Sequence, residues 1–195
     1  MAAADEVRWM DRARQGDRQA FAKLVHAHQG AVRALLRRLT GGQWALTDDL
    51  AQETFLRAWQ SLPRFRSEAR FGTWVYRIAY NTYLMHVRSA KSTVPAGGVD
   101  TGDAGDESIA STGTDLVAQG EVQRMLMRLS PPERAAIIQC YYLGLNHEEA
   151  ATVLNCPLGT VKSHLRRALA KLRDHLSEPV NESESDEPAK QHVRA

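Results

Sequence analysis

The chain has 195 residues, of which 43% are hydrophobic and 25% charged, a length and balance that suit one ordinary globular domain or two small ones. Its two cysteines, Cys140 and Cys156, stand far apart and in no Cys-x-x-Cys pattern, which argues against a disulfide framework or a zinc site and for small buried apolar roles. No basic start followed by an apolar run opens the chain, and nowhere do about 18 apolar residues run together. A cytoplasmic location without membrane insertion is expected.

The net charge of +2 conceals a division. Residues 1–89 carry 14 Lys/Arg against 8 Asp/Glu, and residues 119–176 carry 8 against 5; residues 90–118 carry 1 against 5, and residues 177–195 carry 2 against 5. Two basic blocks alternate with two acidic ones. Basic blocks suit a polyanionic partner, although modest surpluses also occur on plain solvated faces.

From residue 5 to 40 the pattern is helical, with a break at Gly16 and Asp17, where Asp17 is placed to cap the second piece. Phe21, Leu24, Val25, His28, Val32, Leu35, Leu36 and Leu39 share one face, and Gly41 and Gly42 end the helix. His28 sits in this apolar stripe, as a core or interface histidine would. Thr47 is expected to cap the next helix, with Asp48 and Asp49 in its first turn. Ala51, Phe55, Ala58, Trp59 and Leu62 make its apolar face, leaving Asp49, Gln52, Glu53 and Leu56 on another. A basic, irregular turn from Pro63 to Phe71 leads to a helix from Phe71 to Arg88. That helix shows a core-like sector (Phe71, Trp74, Val75, Ile78, Met85), a polar one (Arg77, Asn81, Arg88) and an aromatic one (Tyr76, Tyr80, Tyr83, Val87). Rings beside arginines suit the stacking of unpaired bases, and the same stripe also suits packing between helices.

Residues 90–118, rich in Gly, Ser, Thr and Asp, have the composition of a flexible acidic linker, and 177–195 that of a disordered acidic tail. Between them, residues 119–176 form a second helical unit. A short helix carries Val122, Leu126 and Leu129 and stops at Ser130 and Pro131; the next opens with Pro132, Glu133 and Arg134, carries Ile137, Ile138, Tyr141 and Tyr142, and ends at Gly144. Asn146 with Glu149 reads as a capping box, and Asn155 as a left-handed turn residue before a final helix from Leu158. Val161, Leu165, Ala168, Leu169, Leu172 and Leu176 face inward on that helix. Two helices, a short turn and a basic outer face are the parts of a helix-turn-helix, with Gly159, Thr160, Lys162, Ser163 and Arg166 near DNA; a plain four-helix domain is the bland reading.

These stretches resemble bacterial RNA polymerase sigma factors of the extracytoplasmic-function group over about residues 18–176. The segment from Asp48 to Trp59 is similar to that family's core-polymerase-binding helix. Phe65, Phe71, Trp74, Tyr76, Arg77, Ile78, Ala79, Asn81, His86 and Arg88 are similar to its promoter-melting segment. Leu129 to Arg134, Tyr142 to Leu154 and Gly159 to Ala168 resemble its fourth conserved region, a pattern partly shared with other helix-turn-helix activators.

The resemblance implies an all-α protein of two small helical domains joined by a flexible linker: region 2 over 1–89 and a region 4 helix-turn-helix over 119–176. It implies docking on the β′ clamp helices through Asp48, Asp49, Gln52, Glu53 and Leu56, with region 4 resting on the β flap. It implies minus-ten contacts by Arg64, Phe65, Arg66, Arg70, Trp74, Tyr76, Arg77, Tyr80, Asn81 and Arg88. Minus-thirty-five contacts fall to Gly159, Thr160, Lys162, Ser163, Arg166 and Arg167. The partners are then core RNA polymerase, promoter DNA and an anti-sigma factor, with membrane anchoring of the last left open, in a stress, envelope or metal response.

Departures from the family's usual pattern lie where promoters are chosen. Tyr80 stands where arginine is common, Met85 where aspartate is common and His164 where arginine is frequent, while Asn146 and Asn155 replace Ser and Gly in jobs they can perform. No catalytic residues, cofactor or metal are expected, since His147, Glu148 and Glu149 lack the second histidine of a HExxH site and there is no phosphate-cradling glycine loop. The alternative reading is a helix-turn-helix activator with a helical sensor domain.

Overall fold

The computed structural model describes residues 3–65, 69–93 and 113–177. Its order is α1 (Ala3–Arg14), α2 (Arg18–Leu39), α3 (Trp44–Ser61), a 3-10 turn (Leu62–Arg64), α4 (Phe71–Thr93), α5 (Gly113–Met127), α6 (Pro131–Ile137), a π turn (Ile138–Tyr142), α7 (His147–Leu154) and α8 (Leu158–Ser177). No strand occurs among the described residues. Helix therefore enters both ends of the 90–118 segment, because α4 runs on to Thr93 and α5 begins at Gly113.

In the first domain α2, α3 and α4 pack on one another, and α1 lies along α2. Asp17 caps α2 as expected, its Oδ1 accepting from the amides of Gln19 and Ala20 at 2.9 and 3.0 Å. Leu24, Val32, Leu35 and Leu36 are wholly buried, and Gly41 and Gly42, with φ of 75° and 93°, take the chain out of the helix. The cap of α3 differs from the expectation. The helix starts one turn earlier, with Gln43 as cap, and Thr47 is buried inside it, donating its hydroxyl to the Gln43 carbonyl at 2.7 Å and lying 3.0 Å from the Thr40 hydroxyl. Trp44 opens the helix, and its ring lies under the Arg37 guanidinium, 4.9 Å away.

The second domain follows its local signals closely. Asn146 accepts from the amides of Glu148 and Glu149, and Glu149 accepts from the Asn146 amide in return. Asn155 ends α7 at φ 51°, and α8 leaves after Pro157. The π turn at Ile138–Tyr142 is a departure from the regular helix expected there, and Tyr141 stands in solvent, 65% exposed.

The two domains meet directly, with α4 against α7 and α2 against α6 and the π turn. The carbonyls at the C-terminal end of α2 are answered from the second domain: Gln123 Nε2 donates to Arg38 O at 3.1 Å and Arg134 Nη1 to Leu39 O at 3.2 Å. Arg38 stacks on Tyr142, 3.4 Å from the ring centroid. Arg134 is buried, and desolvation pushes its pKa down, opposed by the neighbouring Tyr83. A guanidinium shielded this way loses hydration and recovers it only in part from a carbonyl at a helix C-terminus. Arg134→Met, which keeps much of the volume and removes the buried charge, is expected to cost roughly 1 kcal/mol in urea unfolding. Arg134→Ala should cost about 2–4 kcal/mol, because a cavity is added to the unanswered Leu39 carbonyl.

Candidate functional site

The expected polymerase-binding face occupies one side of α3. Thr47, Leu50, Ala51, Thr54 and Ala58 are buried on the other side, and this places Asp48, Asp49, Gln52 and Leu56 outward. Leu56 is 52% exposed, an apolar side chain set among acidic and amide groups. Two carboxylates already have internal partners: Asp48 accepts from Arg33 Nε at 2.8 Å, and Glu53 pairs with Arg57 one turn away. Both pairs are partly exposed and contribute little to stability, so they hold the acidic side chains in place more than they hold the fold.

The expected minus-ten residues divide between surface and core. Arg64, Arg70, Arg77, Asn81 and Arg88 are exposed, and Trp74 and Tyr76 are half-buried. Arg66 lies outside the described residues. Phe65 and Tyr80 do not stand on the surface as expected. Phe65 is buried, with its ring centroid 4.7 Å from that of Trp74, which in turn lies 5.6 Å from Phe71. Tyr80 and Tyr83 are buried where α4 meets the second domain, Tyr80 near Cys156 and Tyr83 near Arg134. Burial, together with Tyr83, pushes the Tyr80 phenol up to about 12, so both rings stay neutral and act here as core. Met85, expected in the core, is instead half-exposed beside Arg57. Of the three sectors of α4, the polar one remains open.

In the helix-turn-helix, α8 buries Val161, Leu165 and Ala168, which turns Lys162 and Arg166 outward; Thr160 and Ser163 are half-buried beside them. A Cβ at Gly159 would meet nothing within 4 Å, which leaves the backbone there open to approach. Arg167 is held by the protein itself: its Nε donates to Glu133 Oε1 at 3.3 Å, and Nη2 lies 2.8 Å from His164 Nδ1. Burial first, then Arg167, pushes the His164 pKa down, which favours the neutral ring that can accept from the guanidinium.

Glu133 is the residue that the sequence pattern passed over as a mere helix opener. It is 4% exposed and accepts from the Ser130 amide, Arg167 and, at 2.7 Å, the Lys171 ammonium. One carboxylate thus ties α6 to successive turns of α8 and fixes the orientation of the outward basic face. The one sequence signal was its position three residues after Ser130, a capping-box spacing.

These features define a two-domain helical protein with an outward acidic and apolar face on one domain and a helix-turn-helix on the other. Comparison with known proteins gives the family. Residues 24–93 match Sigma-70 region 2 and residues 119–172 match Sigma-70, region 4. The RNA polymerase sigma-H factor of Pseudomonas aeruginosa is 32% identical over 169 residues, covering 82% of this chain and 87% of that protein. The ECF RNA polymerase sigma-E factor of Escherichia coli is 34% identical over 172 residues, with the same coverages of 82% and 87%. Among solved structures, that of CnrH in complex with the cytosolic domain of CnrY superposes with a TM-score of 0.67 at 26% identity, covering 90% of this chain and 99% of that one. The sigma factor RpoE of Bartonella quintana, solved with the anti-sigma factor NepR, shares the fold at a TM-score of 0.64 and 24% identity. The chain belongs to the sigma-70 family of RNA polymerase sigma factors, in its extracytoplasmic-function (ECF) group, and so to the transcription initiation factors.

Burial opposes the ionisation of Glu133, but hydrogen bonds from Lys171 and Ser130 outweigh it and bring its pKa from 4.5 down to about 2. A folded-state pKa below the unfolded one stabilises fully above the unfolded value and is lost as pH falls toward the folded value. Stability in urea is therefore expected to drop as the pH is taken from about 4.5 toward 2, and Glu133→Gln should flatten that drop while lowering stability at neutral pH.

Proposed function

We propose that this chain docks on core RNA polymerase through the outward face of α3, with Leu56 as its apolar anchor and Asp48, Asp49, Gln52 and Glu53 around it. The observation that carries this reading is the half-exposed Leu56 within a cluster of acidic and amide side chains, the arrangement of a buried hot spot with a polar rim. The clamp helices of the β′ subunit are the surface it meets, and the β flap receives the second domain. The open face of α4, with Arg77, Asn81 and Arg88, and the turn with Arg64, Arg66 and Arg70 follow the unwound minus-ten strand. Trp74 and Tyr76 supply stacking surface. Gly159, Thr160, Lys162, Ser163 and Arg166 approach the minus-thirty-five duplex, with Arg167 acting through Glu133 to orient α8.

On this reading the protein redirects a catalyst without being one, acts in the cytoplasm, and is held inactive by an anti-sigma factor. Support for the last comes from the family and from the exposed apolar and acidic side chains of α3; RpoE was solved with the anti-sigma factor NepR.

The test is run-off transcription on genomic fragments from the source organism with core polymerase, with and without the chain. Discrete starts should require the chain and fade with Glu53→Lys, which reverses a charge on the docking face. Starts that need a housekeeping sigma factor as well would instead mark a helix-turn-helix activator. In duplex binding, Arg166→Ala should lose about 1–3 kcal/mol on the specific site if the guanidinium contacts a base. A uniform loss across sequences would assign it to phosphate.

A further inference from the structure

Helix α1 lies before the stretch that matches Sigma-70 region 2, which begins at residue 24. It is nonetheless well packed: Met10 and Ala13 are buried, and Trp9 lies under the Lys23 ammonium, 5.5 Å from its ring centroid. Besides α2, it contacts the 3-10 turn Leu62–Arg64, the near flank of the Phe65–Phe71 stretch. Glu6 of the same helix reaches toward the far flank. Its Oε2 lies 3.4 Å from His28 Nε2, with the two side chains only 21% and 14% exposed. His28 Nε2 is shut off from solvent and makes no aligned hydrogen bond, and the Glu6 carboxylate is the polar group that faces it. The His28 ring in turn lies on Phe71, the first residue of α4, with centroids 5.2 Å apart. At the next residue, a Cβ on Gly72 would stand 3.3 Å from His28 Cε1, closer than ordinary contact. The phenol of Tyr76, one turn further along α4, also feels Glu6. From Phe71 the ring contacts continue through Trp74 back to Phe65. Helix α1 thus touches the 3-10 turn directly and reaches the first turn of α4 through His28 of α2.

We propose that α1 is a brace for promoter opening: Glu6 and His28 are positioning residues that fix the first turn of α4 relative to the 3-10 turn, and so the placing of Trp74, Tyr76 and Arg77 on the open face of α4. This rests on the reading of that face of α4 as the strand-holding surface. Neither Glu6 nor His28 touches DNA in this account. A purely stabilising contact would affect every step of initiation alike, whereas a brace affects the step in which strands separate.

The experiment uses the full chain with core polymerase and compares wild type, Glu6→Gln, Gly72→Ala and Arg77→Ala. Three quantities are read: affinity for core, run-off from an intact duplex promoter, and run-off from the same promoter with a premelted bubble. Glu6→Gln is expected to keep core affinity, to slow initiation on the duplex by up to about a hundredfold, the scale of a ~1 Å misplacement caused far from the reacting atoms, and to recover on the premelted template. Gly72→Ala discriminates further. Alanine favours helix over glycine, so if α4 stability were what mattered this variant would open DNA as well as wild type or better; the brace predicts a loss, because the added methyl displaces His28. Equal losses on both templates, or normal duplex opening by Glu6→Gln and Gly72→Ala while Arg77→Ala fails, would overturn the brace and leave the α4 reading standing. Normal opening by Arg77→Ala would remove the α4 reading and the brace with it.

Discussion

The structure depends on how α4 is held, because this one helix is packed from both sides. On one side it closes the first domain against α2 and α3 with Phe71, Val75 and Ala79; on another it takes α7 of the second domain over Tyr80 and Tyr83. The contact is reinforced at the C-terminal end of α2, where Gln123 and Arg134 answer carbonyls that a helix leaves without partners. Apolar burial supplies the attraction and the two polar contacts fix the register, since an unanswered buried carbonyl costs more than its hydrogen bond gains. What α4 can offer a nucleic acid is whatever these two packings leave over. That remainder is the strip of Arg77, Asn81 and Arg88 with the edges of Trp74 and Tyr76.

The same logic of leftover faces gives the other two surfaces. Helix α3 uses small residues, Ala51, Thr54 and Ala58, to sit close against its neighbours, and so presents Leu56 and its acidic surround outward. Helix α8 is fixed to α6 by Glu133, whose links to Arg167 and Lys171 lie one turn apart along α8 and hold that helix against rotation. Lys162 and Arg166 then point away from the domain as a consequence of a buried carboxylate on another helix. An arginine that looks like a DNA contact by its position, Arg167, serves here as part of that fixture.

Signals that act within a few residues were legible in the sequence. Asp17 at the start of α2, the reciprocal Asn146 and Glu149 cap, and the left-handed Asn155 are all where local chemistry put them, because the caps satisfy amides two or three residues away and Asn155 turns its own amide and that of Cys156 back to the Ala151 carbonyl. The outward face of α3 was legible too, from helical periodicity alone. Thr47 misled because a good capping residue can also be a buried one, and its contact with Thr40 belongs to the packing of α2 on α3. The fate of Tyr80 was not legible, since an aromatic stripe at helical spacing has the same pattern whether it meets a base or another helix; Phe65 lies in the turn before that stripe, where no periodicity tells which way a ring points. Only the arrival of α7, some seventy residues later in the chain, decides it for Tyr80. The π turn, in which Tyr141 stands in solvent, has no signal in periodicity either, because one extra residue in a turn shifts every later face.

If the outward face of α3 is the polymerase-docking surface, site-specific cross-linking will show it. A photoreactive amino acid is placed at position 56, in the full chain, mixed with core polymerase and irradiated; the same group at exposed position 141 serves as comparison. An efficient cross-link from position 56 to the β′ subunit is expected, lost when unlabelled chain competes. Cross-linking from position 56 to no polymerase subunit, with the complex formed and active, would contradict it.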